Sequence, residues 1–163
     1  MTTTLPNLYP VGYAGTTTDF NQCKVDRSGA LRIQTGTIAV PASTLTTTLV
    51  GLLPFVAGLK VLYGSTVWFD ALGTSVTANI GWTYYDSTLG TSQAAGFVSG
   101  TTVPAAGGMV PFSATSGSSL GMVLDATASG WITCTITGAT TGSSGNILYS
   151  IAFANDPSGV TNP

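Results

Sequence analysis

Between residues 59 and 98, three apolar, β-rich runs follow one another with short turn signals between them. Lys60-Val61-Leu62-Tyr63 meets Gly64-Ser65, Thr66-Val67-Trp68-Phe69-Asp70-Ala71-Leu72 meets Gly73-Thr74, and the run from Ser75 to Tyr85 ends at Asp86-Ser87. Val, Thr, Trp, Phe and Tyr suit the pleated, half-buried surface of a sheet, whereas Gly, Ser, Asp and Asn interrupt pairing. This stretch predicts the middle of an antiparallel β-sandwich.

The flanks extend the pattern. Ala30-Leu31-Arg32-Ile33-Gln34-Thr35 alternates, with Leu31, Ile33 and Thr35 on one side and Arg32 and Gln34 on the other, as in a strand with one wet face. Residues 37–53 predict a strand, a turn at Pro41-Ala42-Ser43, and a second strand. That second strand sets Leu45, Thr47 and Leu49 against Thr44, Thr46, Thr48 and Val50. Its threonine face invites comparison with an ice-binding ladder, but it has no repeat period, and Thr is in any case a good strand former. Pro54 to Gly58 predicts a turn.

Further along, residues 86–93 read as a loop, Ala94 to Val98 as a strand or short helical turn, residues 99–108 as a long connection, and Met109 to Phe112 as a short strand. Three more strands follow, at residues 120–126, 131–137 and 146–153. About eight to ten strands at roughly 8 to 12-residue spacing, with no helix of useful length, predict an all-β fold: an antiparallel β-sandwich of jelly-roll type. Trp68, Trp82 and Trp131 interrupt strands at apolar positions. They read as fillers of the core, with an exposed sugar-stacking platform as the sharper alternative.

Residues 1–30 differ from the rest. Two Pro, two Gly and no sustained alternation in the first 18 residues predict an extended N-terminal arm, with Leu8, Tyr9, Val11, Tyr13 and Phe20 as apolar anchors. Those anchors need a surface to lie on, either this sandwich or a neighbouring subunit. The division expected is therefore an arm over 1–30, a sandwich over 31–154 and a C-terminal tail over 155–163.

Composition changes the picture in one direction. The 163 residues are 44% hydrophobic and 6% charged, against about 25% charged in ordinary domains, and net charge is −2. A hydroxyl-rich, nearly uncharged surface offers little long-range repulsion to another of its kind, which favours a subunit packed against neighbours. Lys24, Arg27, Arg32 and Lys60 are the only basic residues, too few to track a phosphate backbone, so no nucleic acid is expected as a partner. No membrane is expected either: no apolar run reaches 18 residues, and the start carries no charged and apolar regions of a secretory signal.

Catalytic chemistry is poorly supplied. The chain contains no His and no Glu, which removes the usual general base and the commonest metal ligand. Asp19, Asp26, Asp70, Asp86, Asp125 and Asp156 each stand alone near a turn or strand end, where Asx-turn hydrogen bonds already explain them. Two of them brought together by the fold would be the minimum for a glycosidase. A serine nucleophile would have no histidine partner. Cys23 and Cys134 are too far apart in sequence for a zinc motif and read as buried thiols rather than a bridge. No catalytic residue, cofactor or metal is expected.

The order of a glycine-rich break, Val67-Trp68-Phe69-Asp70-Ala71-Leu72-Gly73-Thr74, Val76-Thr77-Ala78-Asn79-Ile80-Gly81, Ala94-Ala95-Gly96-Phe97-Val98 with Ala106-Gly107-Gly108, and Trp131-Ile132-Thr133 returning to Ile147-Leu148-Tyr149 resembles small β-rich structural proteins of tailed phages. Among these it is most similar to capsid decoration (cement) proteins, over about residues 31–154. The resemblance implies a jelly-roll subunit, often a homotrimer, on the outer surface of the virion capsid. Its partner would be the major capsid protein, whose neighbouring subunits it bridges, and assembly would take place in the host cytoplasm. Leu8, Tyr9, Val11, Tyr13, Phe20, Arg27 and Arg32 are the candidate capsid or inter-subunit contacts, with the loops at 86–93 and 99–108 as further places to look. A tail- or fibre-associated carbohydrate-binding module is the alternative.

Overall fold

The computed structural model describes residues 31–56, 58–88, 91–113 and 129–155. Nine strands and one short helix occupy them: β1 (Arg32–Val40), β2 (Leu49–Phe55), β3 (Leu59–Val61), β4 (Thr66–Phe69), β5 (Thr77–Tyr84), β6 (Gln93–Thr101), α1 (Val103–Ala106), β7 (Gly108–Pro111), β8 (Gly130–Thr137) and β9 (Gly145–Asn155). The arm of residues 1–30, the predicted strand at 120–126 and the tail after residue 155 lie outside the described residues.

All pairing is antiparallel, in two sheets. One runs β1-β9-β4-β7 with β3 also beside β9, and the other runs β2-β8-β5-β6. The order follows from nesting: β1 pairs with β9, β2 with β8, β4 with β7 and β5 with β6, as in one long folded ribbon. Rolling that ribbon up adds the β9–β4 and β8–β5 contacts. Such a wound ribbon is the jelly-roll form of a sandwich.

The core is where the two inner faces meet. Val50, Cys134, Ile80 and Val98 form one row across the β2-β8-β5-β6 sheet, and Ile38, Ile147 and Phe69 form a row across the other. All seven are buried, and burying an aliphatic side chain of this size contributes roughly 1.5–3 kcal/mol. Phe97 sits between Trp82 and Phe112, with ring centroids 5.2 and 5.1 Å away, the second pair stacked within 13° of parallel. Such ring pairs add about 0.5–1.5 kcal/mol beyond their buried area.

Several local expectations are corrected. The runs at 30–35 and 37–40 are one nine-residue strand, paired with β9 along its whole length without a bulge. Residues 41–48 are not a threonine-faced strand: Ser43 and Thr47 take positive φ values of 64° and 70°, which breaks the extended alternation. Thr44 is buried there, its hydroxyl donating to the Pro41 carbonyl (2.8 Å), so no ladder of hydroxyls is presented. Pro54 continues β2 instead of turning the chain. β2 is an edge strand, where a residue without an N–H is tolerated. The Gly64-Ser65 break joins two pieces beside the same strand, because β3 and β4 both pair with β9. There the buried Ser65 hydroxyl accepts the Ala152 N–H (3.0 Å) and donates to the Leu62 carbonyl (2.9 Å), replacing the lost ladder contacts. Residues 93–101 form a full strand, and the connection after it is the single turn of α1.

β6 is strongly bulged. Against β5 it spends three steps (Thr101 to Val98) for two (Ala78 to Ile80), then five (Val98 to Gln93) for two (Ile80 to Trp82). The surplus chain crowds Gly81, where a Cβ would overlap the Gln93 carbonyl oxygen and meet the Ala94 carbonyl carbon at 2.6 Å. Backbone cannot rotate away as a side chain can. Gly81→Ala is therefore expected to cost about 1–3 kcal/mol, lowering the thermal midpoint by several degrees at roughly 2–4 °C per kcal/mol for a chain of this size. An unchanged midpoint by calorimetry would contradict this account of the bulge.

Candidate interaction surfaces

The outward faces of the two sheets differ. In β1 the odd-numbered residues point out: Ile33, Thr35, Thr37 and Ala39 are exposed, while Ile38 and Val40 are buried. In β9, β4 and β7 the outward positions include Leu148, Ser150, Trp68 and Met109. Register sets Thr37, Leu148, Trp68 and Met109 side by side in one row, with Thr35, Ser150, Thr66 and Pro111 in the next. Leu31 and Ile33 are 65% and 64% exposed, Met109 50%, Trp68 41% and Leu148 40%. Five of the eight large hydrophobic side chains exposed among the described residues thus belong to one sheet face.

A shallow groove of about 640 Å³ crosses this face, lined by Thr35, Thr37, Trp68, Leu148 and Ser150 and reaching Asp70 and Gly108 at the ends of β4 and β7. Charge is confined to the ends of the face. Lys60 pairs in register with Ala154 at one end, and Asp70 accepts hydrogen bonds from the Asn146 backbone (2.8 Å) and side-chain amide (2.9 Å) at the other. The alternation read in β1 is present, but it is the apolar residues Leu31 and Ile33 that face out. Arg32 and Gln34 are half-buried on the opposite side.

The face outside the β2-β8-β5-β6 sheet is built differently. β8 is buried on both sides, and its outward Thr133 sits in register between Gly51 and Gly81. Thr133 and Thr135 are buried with hydroxyls that have no hydrogen-bond partner among the described residues. The Trp131 ring covers Gly51, where a Cβ would come within 2.8 Å of it. Trp82 is a core filler, as expected, whereas Trp131 is buried on the outer side of β8 over Gly51, outside the core between the sheets, and Trp68 stands at an outward, exposed position of β4.

The described acids do not pair. Asp70 lies beside Asn146, past the loop that follows β8. Asp86 lies after Tyr85, whose N–H bonds Ser129 at the start of β8. The eight residues of β8 separate the two ends, a span of about 25 Å at ~3.3 Å per residue. A carboxylate pair for glycoside cleavage needs roughly 5–9.5 Å. Asp86 accepts the Thr88 hydroxyl (2.7 Å) and N–H (2.8 Å), and these bonds hold its carboxyl below the usual range, the hydroxyl contributing most. That is a turn-capping role. Gly117-Ser118-Ser119-Leu120-Gly121 spells Gly-x-Ser-x-Gly, but it lies outside the described residues and the chain has no histidine to activate it. Among the described residues no group of three or more metal-ligating side chains comes together.

Cys134 is a free thiol with no exposed surface, and burial pushes it up to about 12 from an ordinary value of 9.0. Cys23 lies outside the described residues. The folded state holds this proton where the unfolded chain releases it, so stability is full below pH 9 and falls as pH rises from about 9 towards 12. The fall attributable to this group is at most about 1.4 kcal/mol per pH unit. Denaturant titrations should show the wild type losing stability faster than Cys134→Ala across that window, and parallel curves would contradict the assignment.

No protein-family model and no curated protein sequence matches the chain. Solved structures do. A chain of the capsid of Ralstonia phage GP4 superposes with a TM-score of 0.61 at 17% identity, over 80% of this chain and 87% of that one. A chain of the cyanophage Pam1 capsid asymmetric unit superposes with a TM-score of 0.57, also at 17% identity, over 78% of this chain and 86% of that one. The fold is shared with chains of two phage capsids. At this identity the likeness concerns the wound sandwich and not particular side chains. Of the residues singled out from the sequence, Arg32 opens β1 opposite Phe153, half-buried and with contacts of its own. Leu8, Tyr9, Val11, Tyr13, Phe20 and Arg27 lie outside the described residues. The apolar face across β1, β9, β4 and β7 was not among the sequence candidates. Its signal was the inverted alternation of β1, which cannot be oriented until the strand's partner is known.

Proposed function

We propose that this protein is a structural, non-enzymatic component of a phage virion. In this reading it binds the outer surface of the capsid as a homotrimer and stabilises the shell by bridging major capsid protein subunits. The observation that carries it is the sheet face with five exposed large apolar side chains and charge only at its ends, displayed on a fold shared with chains of two phage capsids. A protein that works by adhesion needs area, and area is what this surface offers: buried apolar surface contributes roughly 25 cal/mol per Å² before the costs of association are deducted. Linking three copies makes the second and third contacts with the shell intramolecular, so weak individual contacts suffice. The sparse charge supports the same reading, because a decoration layer sets many identical surfaces close together.

The test is decoration of purified shells. Mixed with capsids of its phage that lack it, the protein should co-sediment at a fixed, saturable number of copies and raise the temperature at which shells rupture. Failure to bind such shells, with the protein folded, would refute the proposal. A second reading rests on Trp68, exposed beside the groove: a glycan-stacking site on a tail or fibre module. Glycan binding that Trp68→Ala abolishes without loss of folding would favour it.

A further inference from the structure

We infer that residues 20–25 form a further strand on the open edge of β1, folded back through a turn at Asp26-Arg27-Ser28-Gly29 in a register that sets Cys23 opposite Arg32. The inference goes beyond the proposed function and does not depend on it. Where it bears on that reading, it joins the N-terminal arm and the apolar sheet face into one surface.

The edge makes the pairing available. β1 ends the sheet path, and among the described residues no strand lies on its outer side. Antiparallel pairing with β9 uses the N–H and C=O groups of alternate residues, so the remaining residues of this nine-residue strand point theirs away from the sheet. β1 has neither Pro nor bulge, and Arg32 is its only charge, so it carries little that discourages a partner strand.

Connectivity selects the partner. The first described residue is Leu31, one residue before β1, so the chain that precedes it enters at this edge. Asp at the first position and Gly at the fourth is the signature of a type I turn, on which four-residue hairpin loops are most often built. A turn so close to β1 sends the preceding residues back antiparallel beside it. Closing so short a loop costs less chain entropy than bringing any more distant segment to the same edge.

The segment is suited to the place. Phe20-Asn21-Gln22-Cys23-Lys24-Val25 contains neither Pro nor Gly, whereas Pro6, Pro10, Gly12 and Gly15 all lie further upstream. Six residues is an ordinary strand length, and a short strand carrying a lysine is a usual way for a sheet to end. A three-residue loop would set Lys24 directly opposite Arg32, and like charges so placed repel. The four-residue loop sets Cys23 there instead.

That register has a consequence for the face. Side chains alternate with period two, so Phe20, Gln22 and Lys24 fall on the outward side with Leu31, Ile33 and Thr35. The stems of Lys24 and Gln22 lie along Leu31 and Ile33, the two most exposed apolar groups of the face. Phe20 stands opposite Thr35, which lines the groove. The arm upstream of Phe20 therefore leaves from the groove's rim, and its apolar anchors start on the adhesive side of the sandwich.

Two experiments test this. Hydrogen exchange read by mass spectrometry on the full chain should show residues 21–25 exchanging at least about a hundred-fold more slowly than the same residues in a synthetic peptide of residues 18–28, as paired strand does and frayed chain does not. The second uses native Cys23. Directly opposite residues have Cα atoms ~4.5–5.5 Å apart, within disulfide reach, so Arg32→Cys should form an intrachain bond with it. Ile33→Cys is the control, one residue further on and turned to the other side. In a glutathione buffer the Arg32→Cys bond should be favoured at least about tenfold over the Ile33→Cys bond, and urea should abolish the preference, because the two loops cost an unfolded chain nearly the same. Cys134 is buried and does not compete.

Exchange of residues 21–25 at the peptide's rate would overturn the inference. So would equal yields from the two variants in native buffer, or a preference for Ile33→Cys, which would shift the register by one residue. Covalent dimers through Cys23 would overturn it too, giving the edge to the arm of another copy. If Arg32→Cys fails to keep the wild-type circular dichroism, the exchange measurement decides alone, since it needs no substitution. Neither readout involves shells, so failure of decoration and failure of this pairing are separate results.

Discussion

Removing residues 1–20 is expected to leave a folded sandwich with an unchanged thermal midpoint and a loss of shell binding of about a hundred-fold or more. The buried core of the described residues runs from Ile38 to Phe153, so the deleted segment ends well before its first member. The deleted segment contains Leu8, Tyr9, Val11, Tyr13 and Phe20 and one charged residue, Asp19. In the proposed trimer each shell contact is multiplied by linkage, and linked sites routinely gain 10²–10⁴ in avidity. Deleting the anchor from every copy removes that gain together with the contact itself. Co-sedimentation of truncated and full-length protein with empty shells reads the effect directly. Equal binding would show that the arm is not the anchor, and a lowered midpoint would give its apolar side chains to its own sandwich.

Phe97→Ala should have the largest effect on stability. Phe97 is fully buried, and its ring touches both Trp82 and Phe112. Truncation leaves a cavity between two rings held by strands of different sheets, because Trp82 is on β5 and Phe112 follows β7. Such changes typically cost about 3–5 kcal/mol, which for a chain of this length lowers the thermal midpoint by about 10 °C. Differential scanning calorimetry measures it. A shift of only 1–2 °C would mean that the neighbouring rings close the gap and that the cluster is not a keystone of the core.

Most of the architecture was legible in residue patterns because a sandwich writes its core as period-two alternation. Thr77 to Tyr84, Trp131 to Thr137 and Ile147 to Phe153 each read as strands and are strands. Alternation fails as a guide where the backbone leaves the extended region. Residues 44–48 alternate in sequence, but positive φ at Ser43 and Thr47 turns them into a connection, and tertiary bonds to Thr141 and Ile136 hold it there. Punctuation misled at Gly64-Ser65, where a buried hydroxyl carries the chain across the break, and at Pro54, where an edge strand has no use for the missing N–H.

The candidate surface was less legible for a related reason. An isolated strand such as Leu31 to Thr35 shows two faces but not which one meets the core, and β1 assigns its more apolar face to the outside. Trp68 likewise reads as filler until its neighbours Leu148 and Met109 in register show an outward row. Exposure is a property of the assembled sheet and not of the residue. The absence of His and Glu was legible at once.

Imaging virions of the phage by cryo-electron microscopy tests the central claim most directly. The account predicts density for this sandwich in many copies on the outer capsid surface, at symmetry-related positions that bridge major capsid protein subunits. Density confined to a few copies at the tail tip or fibres, with the shell bare of it, would contradict the account.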